Sequence, residues 1–226
     1  MTPHSFTSTL KKATPFILLL FFTQIIIAQA HTINYQMEQQ PTHNVVWYYL
    51  QLGFQHILPD GFDHILFIIS LCLVAKSAKQ ILWQCTAFTV AHTITLIMSM
   101  KNIIVAPPSI IEPIIALSIA FVAIENIFMK NLNAGRILLI FAFGLVHGCG
   151  FASSLNEIGL PRNQFYTSLL SFNIGVEIGQ LAVIGILFAA IIIWTRTKPW
   201  YSNYVVKPAS IAIACISLFW VMERMA

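Results

Sequence analysis

Charge is what this sequence has least of. Only 9% of its 226 residues are Asp, Glu, Lys or Arg, and 58% are hydrophobic. A soluble domain carries about 25% charged residues. That shortage excludes an ordinary water-soluble domain and points to an integral membrane protein with one compact bundle. The formal net charge of +4 is small and scattered among short polar stretches, so no nucleic-acid partner is expected. Cysteine is scarce as well. Cys72, Cys85, Cys149 and Cys215 fall one per apolar segment, without a CxxC pair. No disulfide framework follows from them, and a buried helical cysteine is usually a small hydrophobe. An HExxH zincin motif is also missing.

What is present is a succession of apolar runs. Residues 1–30 read as a signal peptide, with Lys11 and Lys12 before an apolar core from Pro15 to Ala28. Ala28-Gln29-Ala30 is a small-x-small cleavage site. Cleavage there makes His31 the first residue, able to chelate a metal through its amine and ring; the other reading is an uncleaved first helix. Residues 31–44 form a short polar periplasmic segment. Residues 45–226 are then the membrane helix bundle. Val45–Leu58 is too short to span alone, since about 20 residues are needed. It reads as an interfacial or re-entrant helix carrying His56 inward. Six spans follow by hydropathy: Phe62–Lys76, Ile81–Met100, Ile110–Met129, Arg136–Leu155, Phe165–Trp194 and Tyr204–Met222. The fold class is therefore all-α, a polytopic bundle in a lipid bilayer.

Loop charges orient it. Lys76, Lys79, Lys130, Arg136, Arg196, Lys198 and Lys207 fall on one side; Lys101, Arg162 and Arg224 fall on the other. The positive-inside rule makes the first set cytoplasmic and the N-terminus periplasmic.

The stretch HILPDGFDHILF, His56 to Phe67, puts two histidines and two carboxylates at the mouth of an apolar run. Pro59 and Gly61 break any continuous helix between them. Asp63 alone also has a plainer reading, as a helix-start partner for free amides. With the orientation above, His92, His147 and Glu177 fall at the same depth as His64. Polar groups in lipid need partners and mark function. One cluster of His56, Asp63, His64, His92, His147 and Glu177, open to the outside, is the economical account. Thr89, Thr93, Asn173 and Glu112 are placed around it as supporting residues. Asn173 and Glu177 are i,i+4 and share a face. Gly144 and Gly148 flank His147, and Gly175 and Gly179 flank Glu177. Small residues let helices approach closely, so the fourth and fifth spans are expected to pack tightly at the site. Glu125 and Asn126 lie at the inner end, as a second polar station or an interfacial cap. Imidazoles with carboxylates suit zinc, nickel, copper or iron.

HILPDGFDHILF, FTVAHTITL, IEPIIALSIAFVAIEN, GLVHGCGFASSL and FNIGVEIGQ together resemble the HupE/UreJ family of bacterial membrane proteins, from about Gly53 to about Trp194. The resemblance implies hydrogenase or urease accessory proteins, partners in metalloenzyme maturation, and nickel or cobalt permeation across the inner membrane. It implies metal handling by His56, Asp63 and His64. Six residues separate His56 from the Asp63-His64 pair, one more than in the hydrogenase-type pattern. The chain looks closer to the family's second branch. A divalent metal permease is thus the first functional expectation. The alternative is an intramembrane metal-dependent hydrolase with a zinc-type ion on His64, His92 and His147, and Asp63 or Glu177 as catalytic base.

Overall fold

The computed structural model describes residues 33–75, 77–128 and 134–226. The expected signal peptide, its cleavage site and His31 lie outside the described residues, as do Lys76 and Lys130. Every regular element among the described residues is helical, so the chain is an all-α polytopic bundle.

After a single turn at Tyr35–Glu38, seven helices follow. They are α1 (Thr42–Ile57), α2 (Phe62–Val74), α3 (Ala78–Met100), α4 (Pro108–Phe128), α5 (Ala134–Ile158), α6 (Phe165–Leu187) and α7 (Lys207–Met225). The helix ends carry local causes. Ser77 caps α3, its hydroxyl accepting from the Gln80 amide. Pro108 opens α4, where its missing N–H is no loss. Gly159, at a φ of 79°, stops α5 in the left-handed region. Helix α6 continues through a π turn at Phe188–Ile192 to Thr195, which accounts for the length expected of the fifth span.

Five helices are long and apolar enough to cross a membrane, and α1 and α2 reach that length only together, as a pair bent by 66° that forms a broken span or a re-entrant loop. The helix expected to be interfacial or re-entrant is the first arm of that bent pair. The break is the Leu58–Gly61 stretch, with a cis Leu58–Pro59 peptide. A Cβ on Gly61 would collide with the His56 carbonyl, so only glycine lets the chain turn there.

The bundle is three tight pairs around a short centre. Helix α1 packs along α6, α3 along α5, and α4 along α7. Helix α2 touches α1, α3, α4, α6 and α7. Its 13 residues reach only about 20 Å, and Phe67, Ile68, Leu71 and Cys72 are buried to 2% exposure or less. Glycines make the pairs close. A Cβ on Gly175 would strike the Leu50 carbonyl, and one on Gly144 would lie 2.5 Å from the Phe88 carbonyl. So the two glycine pairs do pack at the site's depth, but each receives a different helix. Gly144 and Gly148 receive α3, whereas Gly175 and Gly179 receive α1. The expected tight packing of the fourth span on the fifth is corrected accordingly. The outward faces are apolar: Val90, Ile94, Leu117, Phe121, Leu170 and Ile178 are all exposed. In water such a surface would be a large liability; in a bilayer it is the solvent-matched face.

Side chains fasten each end. At one end Lys101 Nζ donates to Tyr166 Oη at 2.6 Å, and Asn163 donates to the Glu38 carbonyl. At the other, Tyr201 donates to the Leu73 carbonyl.

Candidate metal centre

Helix α1 brings His56 down in its last turn. The break then returns the chain so that His64, in the first turn of α2, faces it. The ring centroids are 4.6 Å apart. His92 comes from the middle of α3, at 6.1 Å from His56 and 6.2 Å from His64. One ring nitrogen from each of these three lies within 4.8 Å of the other two. His92 is fully buried, His64 is 7% exposed, and His56 is half-buried.

Their nitrogens are unspent. His56 Nε2, His64 Nε2 and both nitrogens of His92 are buried without a partner of hydrogen-bonding geometry. Buried polar atoms are nearly always paired, and an unpaired one costs about 1–3 kcal/mol. A divalent ion bound by imidazoles satisfies several of them at once. Three converging neutral nitrogens fit a borderline ion such as zinc, nickel or cobalt.

His147, on α5, stands beside this group, 5.3 Å from His64 by ring centroid. Its Nε2 is 3.1 Å from Ser118 Oγ. Ser118 already donates its one proton to the Ile115 carbonyl at 2.7 Å. The imidazole must then be the donor, with its proton on Nε2. That leaves Nδ1, buried and unpartnered, as a bare lone pair. A histidine whose far N–H is fixed in this way is oriented as metal ligands usually are. Ser118 was not anticipated from the sequence; its only signal is a lone hydroxyl within an apolar run.

Aromatic rings hold the imidazoles. Phe151 lies 3.8 Å from His56 by centroid, and stacks on Phe172. Phe88 lies 4.9 Å from His147 and 5.9 Å from His64. These rings keep the floor of the site apolar. Above it opens a vestibule of about 470 Å³ lined by His56, Asp60, Gly61, Phe62, Asp63, His64, Glu112, Ile115, His147, Gly150, Phe151, Ser154, Trp220 and Arg224.

The carboxylates are placed differently from the imidazoles. Asp63 lines the vestibule, but one Arg224 nitrogen donates to both its oxygens at 3.0 Å. Glu112 lines the same space, is exposed, and offers its backbone carbonyl to Arg224. Glu177 is half-buried and stands outside the three-histidine group. The helical angle explains it. At 100° per residue, Gln180 falls about 20° to one side of Asn173 and Glu177 about 40° to the other. The inward stripe of α6 is Asn173 and Gln180, both buried. Thr89 donates to Gln180 at 3.2 Å, and the Thr93 hydroxyl lies 2.7 Å from both Asn173 Oδ1 and the Thr89 carbonyl, which share its one proton. The two threonines thus tie α3 to α6 instead of touching the rings, and Asn173 adjoins His92.

A second polar cluster closes the far end. Arg136, 2% exposed, donates to Glu125 at 2.7 Å, Asn126 at 2.9 Å and Gln84 at 3.2 Å. Asn126 in turn donates to the Ser70 carbonyl of α2 at 2.7 Å. Glu125 and Asn126 therefore bind a buried cation.

No curated protein and no solved structure matches this chain. A family model described as HupE / UreJ protein matches residues 31–224. With the helical bundle and its converging histidines, that match covers nearly all of the described chain, which belongs to the HupE/UreJ family.

Proposed function

We propose that this protein is a divalent metal permease of the nickel or cobalt type in a bacterial inner membrane. Its cargo is taken from the periplasm onto His56, His64 and His92, with His147 as a fourth donor. The carrying observation is the convergence of three imidazoles within 4.8 Å, their buried nitrogens unpartnered. The family match and its association with metal uptake support the same reading.

Orientation rests on charge. Arg136 and Arg224 are held by side chains, so neither counts as a free loop charge. Lys76, Lys79, Lys130, Arg196, Lys198 and Lys207 still outnumber Lys101 and Arg162. The vestibule then faces the periplasm, and the Arg136 cluster closes the cytoplasmic side. This is the arrangement of a carrier open to one face.

The hydrolase reading draws on the same one-sided access. It also needs a carboxylate beside the metal to take a proton from water. Asp63 is engaged by Arg224 and Glu177 stands outside the group, so the permease is favoured. The test is flux. Protein reconstituted in vesicles enclosing a metal-sensitive dye should admit nickel or cobalt, and His64→Ala should abolish it. One tightly held zinc per chain with no flux of any divalent ion would reverse the choice.

A further inference from the structure

We infer that Arg224 is a positioning residue that withholds Asp63 from the three-histidine site and so keeps that site's grip on a divalent cation weak. The inference rests on the metal reading above and deepens it. Asp63 precedes His64 in the first turn of α2, and both line the vestibule. A carboxylate would add to these imidazoles the negative charge that they lack. Yet Asp63 is absent from the group of ligand atoms that converge.

What holds it is geometric. One Arg224 nitrogen bonds both Asp63 oxygens at 3.0 Å. The other donates to the Glu112 carbonyl at 3.1 Å, and the guanidinium lies 5.4 Å from the centre of the Trp220 ring. Three anchors on α2, α4 and α7 fix the cation. Arginine cannot lose its charge in a protein, so it competes with any incoming metal for the same carboxylate at every working pH. The pair is only partly sheltered, with both side chains 22% exposed, so the contest takes place where an ion arrives. A carrier must release what it binds, and imidazole nitrogens alone release an ion more readily than the same nitrogens with a carboxylate.

The test is cobalt binding to the purified full-length protein. Affinity is read by competition with a chromophoric chelator, and coordination by the visible absorption of Co²⁺. Arg224→Gln should bind Co²⁺ about tenfold to a hundredfold more tightly, with an altered spectrum. Asp63→Asn in the wild-type background should change affinity less than about threefold, and in the Arg224→Gln background should remove the whole gain. A gain that survives in the double variant, or no gain in Arg224→Gln, overturns the inference. Arg224→Lys keeps the charge but loses the second nitrogen that is anchored on the Glu112 carbonyl, and covers poor folding of Arg224→Gln. It should tighten binding by an intermediate factor, and wild-type affinity there also counts against the idea. Wild-type protein that binds no Co²⁺ would sink the three-histidine reading itself, and this inference with it.

Discussion

Replacing His92 with leucine tests the centre where its energetics are least ambiguous. His92 is fully buried, and both its nitrogens lack partners. Leucine has nearly the same volume and no polar atom. In metal-free protein the exchange removes one nitrogen with no partner, which costs about 1–3 kcal/mol, and one whose nearest polar neighbour is Asn173. It should therefore leave stability unchanged or raise it, against the usual loss of about 1 kcal/mol for a point substitution. With metal the sign inverts. At an ion concentration about 100 times Kd, the wild type gains about 2.7 kcal/mol. For a chain of this length that is a rise in Tm of about 5–11 °C. Losing one imidazole ligand, with affinity falling at least about 100-fold, leaves about 0.4 kcal/mol by the same relation, or about 1 °C. The assay is thermal unfolding in detergent, with and without Ni²⁺ or Co²⁺. A His92→Leu protein that is much less stable without metal would show the imidazole to be a structural core group. One that keeps the full metal shift would exclude His92 from the ligand set.

Further outcomes follow from the surrounding contacts. Ser118→Ala should free the His147 tautomer and weaken metal affinity by about tenfold, with Tm in the absence of metal nearly unchanged; unaltered affinity would remove His147 from the site. Glu125→Gln leaves the buried Arg136 charge short of its anion. Breaking such a pair costs about 3–5 kcal/mol, at the lower end here because the Glu125 side chain is 20% exposed; a loss of Tm below about 2 °C would make the cluster dispensable. Ile103, 61% exposed between α3 and α4, should as Ile103→Cys react with an impermeant thiol reagent added to intact spheroplasts, in a background with Cys149 and Cys215 changed to serine. Labelling only after the membrane is opened would invert the bundle and place the vestibule on the cytoplasmic side.

Much of this fold is legible in the chain because a bilayer leaves few choices. Backbone groups in hydrocarbon must be paired internally, so each apolar run of sufficient length becomes a helix. The six expected spans correspond to α2 through α7, and charge placement orders their ends. Pro59 and Gly61 are equally readable, since one removes a backbone donor and the other permits the close turn under His56. Partner choice is less legible. A glycine announces that something comes near, but not what. Gly175 receives α1 from more than a hundred residues away, and hydropathy carries no trace of that pairing. That α1 turns into α2 at 66° is likewise decided by packing on α6, not by its length.

The histidines could be found because an imidazole in an apolar run has no cheap place to go, and depth alone brought four of them together. Carboxylates obey the same rule, yet their partners are what depth cannot name. Asp63 reads as a ligand because it sits next to His64. Its actual partner, Arg224, is 161 residues away and reads from the sequence as a loop charge. Arg136 has the same history at the other end, where it turns inward and gathers Glu125, Asn126 and Gln84. Both arginines entered the orientation argument as surface charges, and both prove to be internal counter-ions. The rule survives their removal because the lysines carry the bias. A lysine ammonium is strongly hydrated and stays with water, whereas a planar guanidinium is more weakly hydrated and matches a carboxylate fork. In a bundle this poor in charge, Arg136 and Arg224 are therefore better read as partners of Glu125 and Asp63 than as markers of sidedness.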